Sequence, residues 1–176
     1  NGEFKDSISV YDRGLAYGDG FFETMLWDSF VEKNETNVGV EFWLRHLRRI
    51  KDGCQLIQIN LPLDEEIIRQ RNLILNASLK EKKSGLLKMV VTRGVGGRGY
   101  KFERNMMPTI IFLSLPKPKV KKEYFKSGVV VKICKTQLSK NTNLFGYKHL
   151  NRLDSVLARS EWEDKNIFEG IFVDSK

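Results

Sequence analysis

Gly146-Tyr147-Lys148-His149-Leu150-Asn151-Arg152-Leu153-Asp154 is the stretch on which the reading of this chain turns. Lys148 stands directly ahead of residues with helical apolar spacing, Leu150, Leu153, Val156 and Leu157. The spacing predicts a helix over residues 151–164 whose apolar stripe faces a core, with the lysine held at its entrance. An amine held there points to one side, and partial desolvation favours its neutral, nucleophilic form. That suits a Schiff-base lysine. A surface lysine at a helix start has the same local signature, so the segment alone does not separate the two.

Working outward, the Val-rich residues 128–135 read as a strand before this helix, and residues 170–174 as a strand after it. One helix and two strands are too few to bury a core of their own, so residues 128–176 read as the start of a larger, incomplete domain. Residues 117–127, with Lys117, Lys119, Lys121, Lys122 and Lys126, read as a solvated linker. Residues 1–116 read as a small α/β domain. Its expected strands are 7–11, 21–27, a hairpin partner at 31–34, 86–93 and 109–115, and Asp12-Arg13-Gly14 is expected as a turn. Its expected helices are 41–56 and 63–82. The second has Pro62 before it, acids in its first turn and lysines in its last, which matches the helix dipole. The fold class is therefore α/β (α+β).

The 176 residues carry 41% apolar and 30% charged side chains and a net charge of +8, as in an ordinary globular protein. No apolar run reaches the length of a membrane span and no signal peptide heads the sequence, so a cytoplasmic location and no membrane partner are expected. No nucleic-acid motif accompanies the basic charge, which fits mild steering of an acidic small substrate instead. Cys54 and Cys134 lie in apolar surroundings and read as buried free thiols. His46 and His149 are the only histidines and lack ligand-spaced neighbours, so no metal site is expected.

Three further segments carry chemistry. Gly94-Val95-Gly96-Gly97-Arg98-Gly99 fits G-x-G-x-x-G after a strand, but residues 100–108 have no helical periodicity and end at a proline. A dinucleotide site needs a helix there to aim its amides at the pyrophosphate, so that reading is rejected. Glycines this dense let a loop approach a ligand closely, and Arg93 and Arg98 flank it as candidate carboxylate ligands. An exposed turn with solvated arginines fits the spacing equally well. On the first helix, His46 and Arg49 share a face and Arg49 can reach a phosphate at the edge of the core stripe, while Arg48 points to solvent. Tyr17-Gly18-Asp19-Gly20-Phe21-Phe22-Glu23-Thr24 combines a glycine turn, aromatics and an acid, consistent with either a hairpin entry or a pocket rim.

The order Asn1-Gly2, Asp12-Arg13-Gly14, Tyr17-Gly18-Asp19-Gly20-x-Phe22-Glu23-Thr24, His46-x-x-Arg49, Thr92-Arg93-Gly94 and Lys148 resembles the fold-type IV pyridoxal-phosphate enzymes. These include branched-chain and D-amino acid aminotransferases and 4-amino-4-deoxychorismate lyases. Gly96-Gly97-Arg98-Gly99-Tyr100 and the run from Lys148 through Arg159 resemble the lyases in particular. The resemblance implies pyridoxal 5'-phosphate as cofactor, with Lys148 forming the internal aldimine and later moving protons, and Arg49 gripping the phosphate. It implies that Arg98 and Tyr100, with Arg93 as a second candidate, face a substrate carboxylate, and that Tyr17 and Phe22 border the substrate pocket. The implied reaction converts 4-amino-4-deoxychorismate, a dicarboxylate, to 4-aminobenzoate and pyruvate on the way to folate, with a homodimer expected. An aminotransferase of the same fold, or an inactive fragment, is the alternative. Relatives continue past residue 176 with a glutamate for the pyridine nitrogen and loops for the phosphate, so a fragment is expected.

Overall fold

The computed structural model describes residues 1–33, 35–139 and 142–173. It divides into two compact units: Asn1–Lys117 with Gly146–Leu150, and Pro118–Phe145 with Asn151–Lys176.

The first unit is an antiparallel sheet with helices α2 (Trp43–Leu56) and α3 (Asp64–Ser78) packed on strands β1 and β4. Its strands are β1 (Gly20–Glu32), β2 (Glu35–Val40), β3 (Ser84–Thr92) and β4 (Thr109–Leu115), in the order β2-β1-β3-β4. Side chains on a strand alternate between faces. On β1, Phe21, Glu23, Met25 and Trp27 are buried; on β3, Leu87, Met89 and Val91 are. Helix α2 closes that face with Trp43, Leu47, Ile50 and Cys54, spaced as an amphipathic helix requires. Phe22 and Lys88 occupy the other, partly open face.

Register leaves a gap that matters later. β3 pairs with β1 from Gly20 onward, but β2 pairs with it only from Trp27. The edge of β1 at residues 20–22 is filled instead by residues 148–150. The Phe22 amide donates to the Lys148 carbonyl at 2.8 Å, and the Leu150 amide donates to the Gly20 carbonyl at 3.0 Å. Phe21 and His149 form the antiparallel bridge between them.

In the second unit, β5 (Val130–Ile133) and β6 (Ile167–Ile171) pair in parallel, and helix α5 (Leu153–Arg159) lies between them in sequence. The buried centre is Cys134, Ala158 and Trp162, with Ile167 and Phe172 against it. A short helix, α4 (Tyr124–Ser127), interrupts the expected linker.

Several expectations need correction. Residues 7–11 are irregular and exposed, because their alternating Ser, Ile, Ser, Val and Tyr have no partner strand. Asp12-Arg13-Gly14 is not a free turn. Asp12 caps helix α1 (Arg13–Tyr17), its Oδ1 accepting from the Gly14 amide at 2.8 Å, and Gly18 ends the helix at φ 61°. Residues 31 and 32 continue β1, and the returning strand begins at Glu35; Asn34 lies outside the described residues. Helix α3 stops at Ser78, so Lys80, Lys82 and Lys83 lie beyond its last turn and do not complement its dipole. The expected helix 151–164 shrinks to Leu153–Arg159, because residues 148–150 are extended along the β1 edge and the chain must leave that edge before it can coil. Leu153, Val156 and Leu157 are exposed among the described residues rather than core-facing. The last strand starts at Ile167, not 170, and residue 174 lies outside the described residues.

Candidate functional site

Lys148 owes its position to β1 and not to a helix start. In an antiparallel bridge, residues flanking a bridged pair point to the face opposite that pair. His149 bridges Phe21, so Lys148 shares a face with Phe22, and its Nζ sits 4.9 Å from the Phe22 ring centroid. Lys88, across the strand pair on β3, places its own Nζ 5.1 Å from the same ring. Two amines therefore meet one aromatic ring. Tyr147 turns the other way and packs edge-on against Phe21, ring centroids 5.9 Å apart.

One residue on from Phe22, Glu23 is 1% exposed and faces α2. Arg49 donates to it through Nε and, at 2.7 Å, through Nη2. His46 Nδ1 lies 2.8 Å from the same carboxylate. Burial pushes the Glu23 carboxyl up, but the hydrogen bonds from Arg49 and His46 outweigh it and hold it below its usual range. The same bond raises the Arg49 guanidinium. Arg49's side chain remains 42% exposed, and its Nη1 donates to none of the described residues.

A second ionic cluster builds the glycine loop. Asp19 accepts from Arg13 Nε at 2.9 Å and from Arg93 Nε and Nη2 at 2.7 and 2.9 Å. Burial raises the Asp19 carboxyl, and the bonds from Arg93 and Arg13 overcome that and lower it. Arg13 also donates to the carbonyls of Gly99 (2.8 Å) and Tyr100 (3.3 Å) and stacks on Tyr17. The Tyr17 hydroxyl accepts from the Gly99 amide at 2.8 Å, and the Tyr17 and Tyr100 rings lie 5.6 Å apart. No helix follows Gly99, as the rejection of a dinucleotide site requires.

Tyr17 and Tyr100 are thus brought together, as are Lys148 and Phe22, while Arg49 is one strand residue away through Glu23. Arg98 is exposed on the loop and bonds to none of the described residues; Tyr100 is 87% exposed. Arg93 does not fit the expectation of a carboxylate ligand. It is buried, donates to Asp19 and to the carbonyls of Ile57 and Gln58, and stacks on Phe102 at 3.7 Å, so its fork is occupied. Its place is beneath the loop, not in it. Glu23, Asp19, Arg13 and Lys88 escaped notice as participants. The signal for Glu23 and Lys88 was a charge in the middle of an apolar strand pattern.

The residues present suit pyridoxal phosphate: an amine anchored to a rigid strand edge over an aromatic ring, and a guanidinium with donors to spare for a phosphate. A groove of about 720 Å³ between residues 1–9, α3 and β4 includes none of these residues.

Comparison with known proteins agrees. The chain is 30% identical over 162 residues to the aminodeoxychorismate lyase of Vibrio harveyi, covering 92% of this chain and 55% of that protein. It is 30% identical over 182 residues to a candidate branched-chain-amino-acid aminotransferase of Methanocaldococcus jannaschii, covering 100% and 59%. The crystal structure of 4-amino-4-deoxychorismate lyase from Pseudomonas aeruginosa superposes with a TM-score of 0.82 at 39% identity, over 99% of this chain and 60% of that one. The chain therefore spans 55–60% of the length of these proteins. Fold-type IV relatives of this kind work with pyridoxal 5'-phosphate. Residues 20–176 match the model of amino-transferase class IV, and the chain belongs to that family.

Proposed function

We propose that the whole protein is a pyridoxal-phosphate-dependent lyase that converts 4-amino-4-deoxychorismate to 4-aminobenzoate and pyruvate, with residues 128–176 beginning its larger domain. The observation that carries the reading is the stitching of Lys148 to the β1 edge, which holds one amine over Phe22. The 39% identity to a lyase of known structure favours this reaction within the family. A cytoplasmic homodimer on the route to folate goes with it.

The residues divide the work as follows. Lys148 holds the cofactor covalently until the substrate amine takes its place. Arg49 holds the phosphate. When bound, pyridoxal phosphate supplies an electron sink for the pair left at the amine-bearing carbon. The released Lys148 amine is then a neutral base beside that carbon and removes its proton. The carbon–oxygen bond to the enolpyruvyl group breaks, the oxygen leaves with the electron pair, and the enol takes a proton as it becomes pyruvate. The ring becomes aromatic, which drives the elimination. Arg98 and Tyr100 meet a substrate carboxylate, Tyr17 and Phe22 border the ring, and the +8 charge steers the dianion inward.

The test uses the full-length protein with cofactor. Borohydride reduction followed by mass mapping is expected to place the adduct on Lys148, and Lys148→Ala to lose the adduct and turnover together. 4-Aminobenzoate and pyruvate are expected in equal amounts with no 2-oxo acid present. The 30% identity to the archaeal protein supports an aminotransferase as the second reading. Turnover only when 2-oxoglutarate is supplied would establish it instead.

A further inference from the structure

The inward row of β1 reads Phe21, Glu23, Met25, Trp27, three large apolar side chains and one carboxylate, all buried. Packing does not call for that carboxylate. Ionised groups lose several kcal/mol of hydration on burial, and an apolar residue of the same volume usually serves stability as well or better. What Glu23 does have is a set of partners on one helix face. His46 and Arg49, one turn apart on α2, both reach it.

The way Arg49 is held is informative. A guanidinium has five N–H donors arranged around a plane. Glu23 takes the side edge, made of Nε and one Nη2 proton. The end-on edge, made of Nη1 and the second Nη2 proton, donates to none of the described residues, and the side chain is 42% exposed. That free edge is a two-pronged donor of the geometry that phosphate oxygens accept.

We infer that Glu23 is a positioning residue for anion binding: its buried carboxylate, itself braced by His46, fixes the Arg49 guanidinium so that the end-on edge is presented to the cofactor phosphate. The inference rests on the reading of Arg49 as the phosphate ligand. Holding the side chain in one orientation beforehand removes an ordering cost that binding would otherwise meet. Glu23 also has an opposing influence, since its negative charge behind Arg49 weakens attraction for a dianion. The two influences predict opposite results when Glu23 is removed, so they can be told apart.

Full-length apoprotein is titrated separately with pyridoxal phosphate and with pyridoxal, and the ratio of the two dissociation constants measures the contribution of the phosphate. In Glu23→Met this ratio is expected to fall about tenfold, or about 1.4 kcal/mol, with the apoprotein as heat-stable as the parent. Glu23→Gln keeps one acceptor oxygen of nearly the same shape and is expected to restore part of the loss; it also serves if the Met variant does not fold. A ratio that stays within about twofold of the parent in both variants, or that rises, overturns the inference. Arg49→Ala is the control. If it abolishes the ratio while the Glu23 variants do not, only the positioning role fails. If it leaves the ratio intact, the phosphate role of Arg49 fails and takes the inference with it.

Discussion

Asp19→Asn in the full-length protein should be among the most destabilising near-isosteric changes in the first unit. Asp19 accepts three charge-assisted hydrogen bonds, at 2.9 Å from Arg13 and at 2.7 and 2.9 Å from Arg93, and both arginine side chains are only 4% exposed. An amide removes the charge and turns one acceptor into a donor facing guanidinium N–H groups. Breaking a buried pair by removing one partner costs about 3–5 kcal/mol. Arg93 keeps the Ile57 and Gln58 carbonyls, and Arg13 keeps those of Gly99 and Tyr100, which places the loss near the lower end, about 3 kcal/mol. With urea m-values of about 1–3 kcal/mol per molar, the unfolding midpoint should drop by about 1–2 M. Hydrogen exchange at the Gly99 amide should accelerate as well, because Arg13 no longer steadies the loop that this amide helps pin to Tyr17. Glu66→Gln is the contrast. Its hydrogen bonds from Arg69 and Gln70 hold that carboxyl down at about 2, but the pair is solvent-exposed and no measurable midpoint change is expected. If Asp19→Asn shifts the midpoint no more than Glu66→Gln does, the account of the loop as an ion-built structure is refuted.

Acid should expose the same clusters. Asp19 and Glu23 are both held below their unfolded values of about 3.9 and 4.3, so the stability they contribute is complete above about pH 5 and is lost as pH falls through the folded values. Stability curves from pH 6 to pH 2 should therefore be flatter at the acid end for Asp19→Asn than for the parent. Gly20→Ala would bring a Cβ to 2.1 Å from the Val91 carbonyl oxygen and 2.9 Å from Thr92 Cα, forcing β1 and β3 apart. A loss of about 2 kcal/mol or more is expected, together with weaker borohydride labelling at Lys148, whose segment hangs from the Gly20 carbonyl. Burial pushes the Cys54 thiol up to about 12, so iodoacetamide at pH 8 should leave it unmodified in native protein and label it after unfolding, as peptide mapping would read.

Residue patterns revealed much of this fold. Trp43, Leu47, Ile50 and Cys54 form the buried stripe of α2, whose helix was legible from its apolar spacing; residues 109–115 were read as a strand with the observed bounds. Short elements hid better. Helix α1 is five residues long and announces itself only through the Asp12 cap, which in sequence looks like any turn aspartate. The alternation in residues 7–11 imitated a strand because alternation reports a face, and says nothing of whether a neighbour exists to pair with. At the site, the shared face of His46 and Arg49 followed from helical periodicity, but their common target lies on another element and needed the folded register. Arg93 shows the same limit from the other direction. Nothing local distinguishes an arginine awaiting a carboxylate from one whose donors are already taken by Asp19 and two carbonyls.

The pairing of residues 148–150 with the start of β1 has a consequence for biosynthesis. All four strands of the larger sheet lie upstream of Lys117, so a chain emerging from the ribosome has that sheet available while one short stretch of β1 still lacks its neighbour. Only when residues 146–150 follow does that vacancy close, and the nucleophile is seated by the same event. Vitamin capture by this chain is accordingly tied to a late, non-local docking step, and a polypeptide cut at the Lys117–Pro118 junction would leave its amine behind with the other piece.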